Sequence, residues 1–223
     1  MGSTIHQYYL LAISFIVYFF ISYAYRILKI RNIEEALQTK NGLLLINLKH
    51  MLGIILFGIM FFLLLPDYRR LITTIEVPDL NVLLLLTLVV IVSALVSYYS
   101  VKNILKNKTE KLQYQIDQRW IYFPIRILFL LSYEFFFRGV LFFSILEVSN
   151  IIIAIFACTF LYVLIHAFDT RNEIIGAIPF GIILCLFSYY THSIWPAFII
   201  HITLSGVYEV SIFNQLTLKV QKT

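Results

Sequence analysis

The sequence predicts an all-α polytopic membrane protein with about seven transmembrane helices and a buried polar site in its C-terminal half. Three observations carry this. Of the 223 residues, 61% are hydrophobic and only 13% charged, whereas an ordinary soluble domain carries about 45–50% apolar and about 25% charged residues. The mean hydropathy of +0.88 leaves no polar surface to cover a water-soluble globule. The apolar residues also fall in uncharged runs close to the roughly 20 residues a helix needs to cross a bilayer. Disordered, collagenous, nucleic-acid-binding and disulfide-scaffold classes are excluded together. Twenty Phe and fifteen Tyr suit lipid-facing helices and interfacial belts.

The first span reads from residue 8 to 25. Nothing basic precedes it and no small-residue cleavage site follows, so it is expected to be kept rather than removed as a signal peptide. The second, 51–65, is short but extends back through Leu43 if Lys49 and His50 snorkel to the interface. The third, 80–100, carries no charge. The fourth, 120–146, is interrupted by Arg126, Glu134 and Arg138. The fifth, 151–168, carries His166; the sixth, 174–190, is uncharged; the seventh, 194–213, carries His201 and Glu209. Cys158 and Cys185 each lie inside an apolar run, which implies packing residues rather than a disulfide.

Loop charge tests this count. With seven spans, thirteen Lys and Arg fall in the loops on one side and only two, Arg69 and Arg70, on the other. The positive-inside rule then places the N-terminus outside and the C-terminus in the cytoplasm of a multi-pass plasma-membrane protein. It also accounts for a net charge of +5 through anionic lipid, with no nucleic acid as partner.

Ionisable groups at mid-membrane cost several kcal/mol and mark function by default. Glu134 and Arg138 are four apart and share one helix face; His166 and His201 come from two further spans, and Glu209 lies two turns beyond His201. Arg126 sits about 9 Å into its span at 1.5 Å per residue, within reach of the interface by snorkelling. A carboxylate with two imidazoles supplies what peptide hydrolysis needs, a base for water and donors for an oxyanion. The same set (His166, His201, Glu134) could hold a divalent metal such as zinc, although no HExxH helix is present.

These residues resemble the intramembrane CAAX proteases and bacteriocin-processing enzymes, also called the CPBP or Abi family. Its Glu-Glu-x-x-x-Arg motif is similar to Tyr133-Glu134-Phe135-Phe136-Phe137-Arg138. Its Phe-x-x-x-His motif is similar to Tyr162-Val163-Leu164-Ile165-His166, and its His-x-x-x-Asn motif to His201-Ile202-Thr203-Leu204-Ser205. The resemblance implies an endopeptidase acting on membrane-delivered peptides or protein tails, in bacteriocin maturation or self-immunity among other settings. It implies a three-helix N-terminal region (1–119), a catalytic core (120–215) and a cytoplasmic tail (216–223). Glu134, His166, His201, Ser205 and Arg138 are then the expected catalytic residues, with Tyr133, Tyr162 and Glu209 supporting. The family's first Glu, its water-activating base, is Tyr133 here, and Ser205 replaces its Asn. The alternative is therefore a pseudoprotease, a membrane binding or immunity protein that does not cut.

Overall fold

The computed structural model describes residues 2–75, 77–106 and 119–221. Every regular element among them is helical. Among the described residues, six helices are long and apolar enough to cross a membrane, and a seventh, Ile151–Ile165, is apolar but only 15 residues long. We label them α1 (Gly2–Ile27), α2 (Ile33–Gln38), α3 (Gly42–Leu64), α4 (Leu80–Lys106), α5 (119–148), α6 (Ile151–Ile165), α7 (Arg171–Thr191) and α8 (Trp195–Gln221). The protein is a multi-pass membrane protein.

Most spans extend beyond the apolar runs by a turn or more, because the flanking polar residues continue the helix outside the hydrocarbon. The fifth span is shorter than its apolar run. Its helix stops at Ile165 and His166 is its C-cap, at φ −84° and ψ 2°. Fifteen residues rise only about 22 Å, less than the roughly 30 Å hydrocarbon core, so α6 delivers His166 short of the far interface. Of the basic loop expected between the third and fourth spans, 101–119, the ends continue α4 and begin α5, and residues 107–118 lie outside the described residues. The basic segment between the first two spans is not a simple loop, since it holds α2. Asn32 caps that helix by accepting from the Glu35 amide, and Arg31 pairs with the Glu35 carboxylate. That pairing holds the Glu35 carboxyl below its ordinary value.

α5 is the central helix: 78% of its apolar window is buried, against 17% for α4. Its i→i+4 ladder widens to a π-turn over Phe135–Leu141, a feature that gathers at functional sites. A second π-turn, Ile54–Ile59 in α3, faces it, and the Phe57 and Phe136 rings stack there at 4.3 Å. Two glycines let α3 approach this closely. A Cβ at Gly58 would come within 2.4 Å of Ser132 Oγ, and one at Gly53 within 2.4 Å of the Phe129 ring. Small residues at crossings are how membrane helices gain van der Waals contact without a hydrophobic drive between them.

Candidate active site

Glu134 is the last residue before the π-turn of α5 and is completely buried. Its Oε1 accepts from His201 Nδ1 on α8 at 2.5 Å, and its Oε2 lies 3.4 Å from Arg138 Nε. Arg138, also fully buried, has no hydrogen-bond partner for its nitrogens among the described residues. It is held instead over the ring of Tyr162, 4.0 Å from the centroid. A guanidinium over a tyrosine face in a dry site gains about 2 kcal/mol or more. The carboxylate thus has a cation one helical turn away and an imidazole from another helix, which compensates its burial.

The second imidazole has its own anchor. His166 Nδ1 meets Asp169 Oδ2 at 2.7 Å, and the two side chains keep 24% of their exposure. Its Nε2 faces the Tyr133 hydroxyl at 3.5 Å. Tyr133 is buried between the histidines, its ring 6.4 Å from His166 and 5.9 Å from His201. Tyr162 contacts both imidazoles as well, at 4.8 and 6.5 Å between centroids. Three helices therefore bring Tyr133, Glu134, Arg138, Tyr162, His166 and His201 into one cluster.

An ionised carboxylate can only accept. Nδ1 of each histidine therefore carries a proton, and each ring turns Nε2 away from its anchor. The two rings differ in access: the His166 side chain keeps 24% of its exposure at the helix end, whereas that of His201 keeps 9%.

Ser205 and Glu209 lie elsewhere. Both are bound by Arg126, whose Nη2 donates to Ser205 Oγ at 2.8 Å and whose Nε donates to Glu209 Oε1 at 2.8 Å. A third nitrogen, Nη1, lies 3.4 Å from His50 Nε2. Arg126 does not snorkel; it ties α3, α5 and α8 together inside the bundle. Nor does His50 reach for the interface, being 4% exposed and stacked on Phe129 at 4.7 Å. The first three spans thus do bring an ionisable group into the bundle.

Two residues of these clusters were not read as site residues from sequence: Asp169, and His50, which was expected only to snorkel. Asp169 could have been found, since it follows His166 by three residues in the short polar break between two apolar runs. His50 gave no comparable signal. Cys158 and Cys185 are free and fully buried, and Cys158 Sγ donates to the Phe137 carbonyl at 3.1 Å. The metal expectation fits less well. His201 and Glu134 are bonded to each other and His166 to Asp169, and no three His, Cys, Asp or Glu side chains gather as a metal would need among the described residues.

Residues 116–207 match a known family, type II CAAX prenyl endopeptidase Rce1-like. This segment is similar to that family, over less than half of the chain. The match bears out the resemblance read from the motifs, and every expected catalytic residue falls within it; Glu209 lies two residues beyond. Searches of the curated proteins and of the solved structures each found no match. The Rce1-like segment covers α5, α6, α7 and the first half of α8, the elements that build the cluster.

Proposed function

We propose that the protein is an intramembrane endopeptidase of the CAAX type, hydrolysing peptides or protein tails that reach it through the membrane. One observation carries this reading: two imidazoles from different helices, each anchored at Nδ1 by a carboxylate, flank the same buried phenol. The geometry favours His166 over Glu134 as base, because Glu134 is closed off by His201 and Arg138 while His166 is partly exposed. His166 Nε2 takes a proton from water as the water oxygen bonds the scissile carbonyl carbon. The carbonyl electron pair moves onto its oxygen, which the Tyr133 hydroxyl stabilises by donating to it. The intermediate then collapses, the C–N bond breaks, and the amine leaves with the proton from His166. At 3.5 Å the Tyr133 to His166 contact is loose enough to yield to water, as catalytic contacts often are before substrate binds.

His166 opens at the end of the bundle that also bears Arg26 and Arg31, since Phe168 of the next turn packs on Phe19, Tyr23 and Arg26. The loop-charge asymmetry supports a cytoplasmic position for that end, which suits C-terminal tails of cytoplasmic proteins. The test is purified protein in vesicles, offered prenylated tails and bacteriocin-type leader peptides, with cleavage read by mass spectrometry. Cleavage by the wild type, lost in His166→Ala at equal abundance, is the expected result. Cleavage undiminished in His166→Ala would overturn the assignment.

Tyr133 in the position of the family's base favours a second reading, a binding protein that has lost catalysis. Tyr133→Glu separates the two. A degenerate protease gains activity from a restored carboxylate, whereas a working His166 site loses an oxyanion donor and slows.

A further inference from the structure

We propose that Asp169 is the positioning residue of this site, a carboxylate that fixes the tautomer and aim of His166, the base that stands in for the carboxylate missing at Tyr133. The inference rests on the peptidase reading above and deepens it. A general base needs an accessible lone pair aimed at the water. A free neutral imidazole divides its proton between two nitrogens, whereas one bonded to a carboxylate does not. The 2.7 Å bond from His166 Nδ1 to Asp169 Oδ2 leaves Nε2 bare and directed at the Tyr133 hydroxyl.

The fold holds Asp169 there from three sides. Its amide donates to the His166 carbonyl at 2.9 Å, so the turn closes back on the histidine it serves. One residue before it, Phe168 lies 4.7 Å from the Phe19 ring of α1. One residue after it, Thr170 begins α7 through a reciprocal capping box with Glu173. A capping box and a docked aromatic leave the carboxylate little freedom to leave the imidazole. The arrangement parallels Glu134 and His201, but with one difference. Glu134 is also engaged by Arg138, whereas Asp169 sits at the open end, where its partner can meet water.

The experiment uses the full chain in lipid vesicles with ¹⁵N-histidine labelling, each resonance assigned by a His→Gln variant. Wild-type His166 is expected to show a protonated Nδ1 and an unprotonated Nε2. Asp169→Ala should convert this to a mixture of tautomers, and Asp169→Asn, whose amide oxygen still accepts, should retain much of it. On a cleaved peptide, Asp169→Ala should lower kcat about 10- to 100-fold, as loss of an imidazole's orienting partner commonly does, with KM little changed and partial rescue in Asp169→Asn. Identical ¹⁵N signals for His166 in wild type and Asp169→Ala would overturn the proposal whatever the peptidase assay shows. A tautomer change in a protein that cleaves nothing would uphold the positioning and overturn the peptidase reading instead.

Discussion

The bundle contains two buried polar clusters on the same pair of helices, and they are built in opposite ways. Around Arg126, one cation holds the side chains of Ser205, Glu209 and His50, so its nitrogens are occupied by the protein itself. Around Tyr133, each carboxylate holds one imidazole by a single nitrogen, and Arg138 has no hydrogen-bond partner for its guanidinium among the described residues. In the first, every donor group of the cation is engaged, although Glu209 Oε2 and His50 Nδ1 have no hydrogen-bond partner among the described residues. The second leaves its cation without a hydrogen bond and keeps one histidine partly exposed. A cation whose nitrogens are all bound braces the helices that hold it; an imidazole with a free Nε2 beside an opening can do chemistry. The comparison teaches that the membrane cost of a charge does not by itself separate catalysis from bracing, and that the partner geometry does.

Mutations should separate the clusters in kind. The largest effect is expected at His166: His166→Ala should lower kcat on a cleaved peptide by about 10²–10⁴-fold, with the purified protein as abundant and as thermally stable as the wild type. In the other cluster the loss should be of stability. Arg126→Met leaves Glu209 buried without its cation and should cost about 3–5 kcal/mol, while Arg126→Met with Glu209→Leu should recover most of it; thermal unfolding in detergent reads both. If Arg126→Met instead left stability intact and abolished cleavage, the division between brace and site would be wrong.

Gly58→Ala should disturb both clusters through one contact. The added methyl meets Ser132 Oγ at 2.4 Å, and Ser132 precedes Tyr133 while α3 also carries His50. Overpacking of this sort costs about 1–3 kcal/mol, and both stability and activity should fall. The smallest effect belongs to Glu35, at the basic end but in neither cluster. Its carboxyl titrates below the ordinary value because of the Arg31 hydrogen bond. The stability it contributes is therefore complete above the unfolded pKa of about 4.3 and is lost as pH falls through the lower folded value. Glu35→Gln should remove about 0–1 kcal/mol at neutral pH and flatten that acid limb.

How much of this was legible in the sequence follows from what each residue's position depends on. The spans were legible because bilayer thickness imposes a length on apolar runs, and α5 announced itself through three charges in one run. The motif residues Glu134, Arg138, His166 and His201 could be gathered because they recur in order at family spacing. Ser205 was read with them, yet its hydroxyl goes to Arg126, since the crossing of α8 over α5 brings it level with Arg126 while His201 meets Glu134. That crossing is not written in residue spacing. Asp169 was overlooked because the apolar run continues through Phe168; the helix ends at Ile165 only because the chain must turn there to begin α7 from Thr170.

The central claim is that water, activated at His166, attacks a peptide carbonyl within this cluster. It is tested most directly by single-turnover cleavage in H₂¹⁸O, with the new C-terminal carboxylate analysed by mass spectrometry. One ¹⁸O is expected in that carboxylate for the wild type, and no product for His166→Ala at equal abundance. Equal ¹⁸O incorporation by His166→Ala, or no cleavage by the wild type of any tail or leader peptide it demonstrably binds, would contradict it.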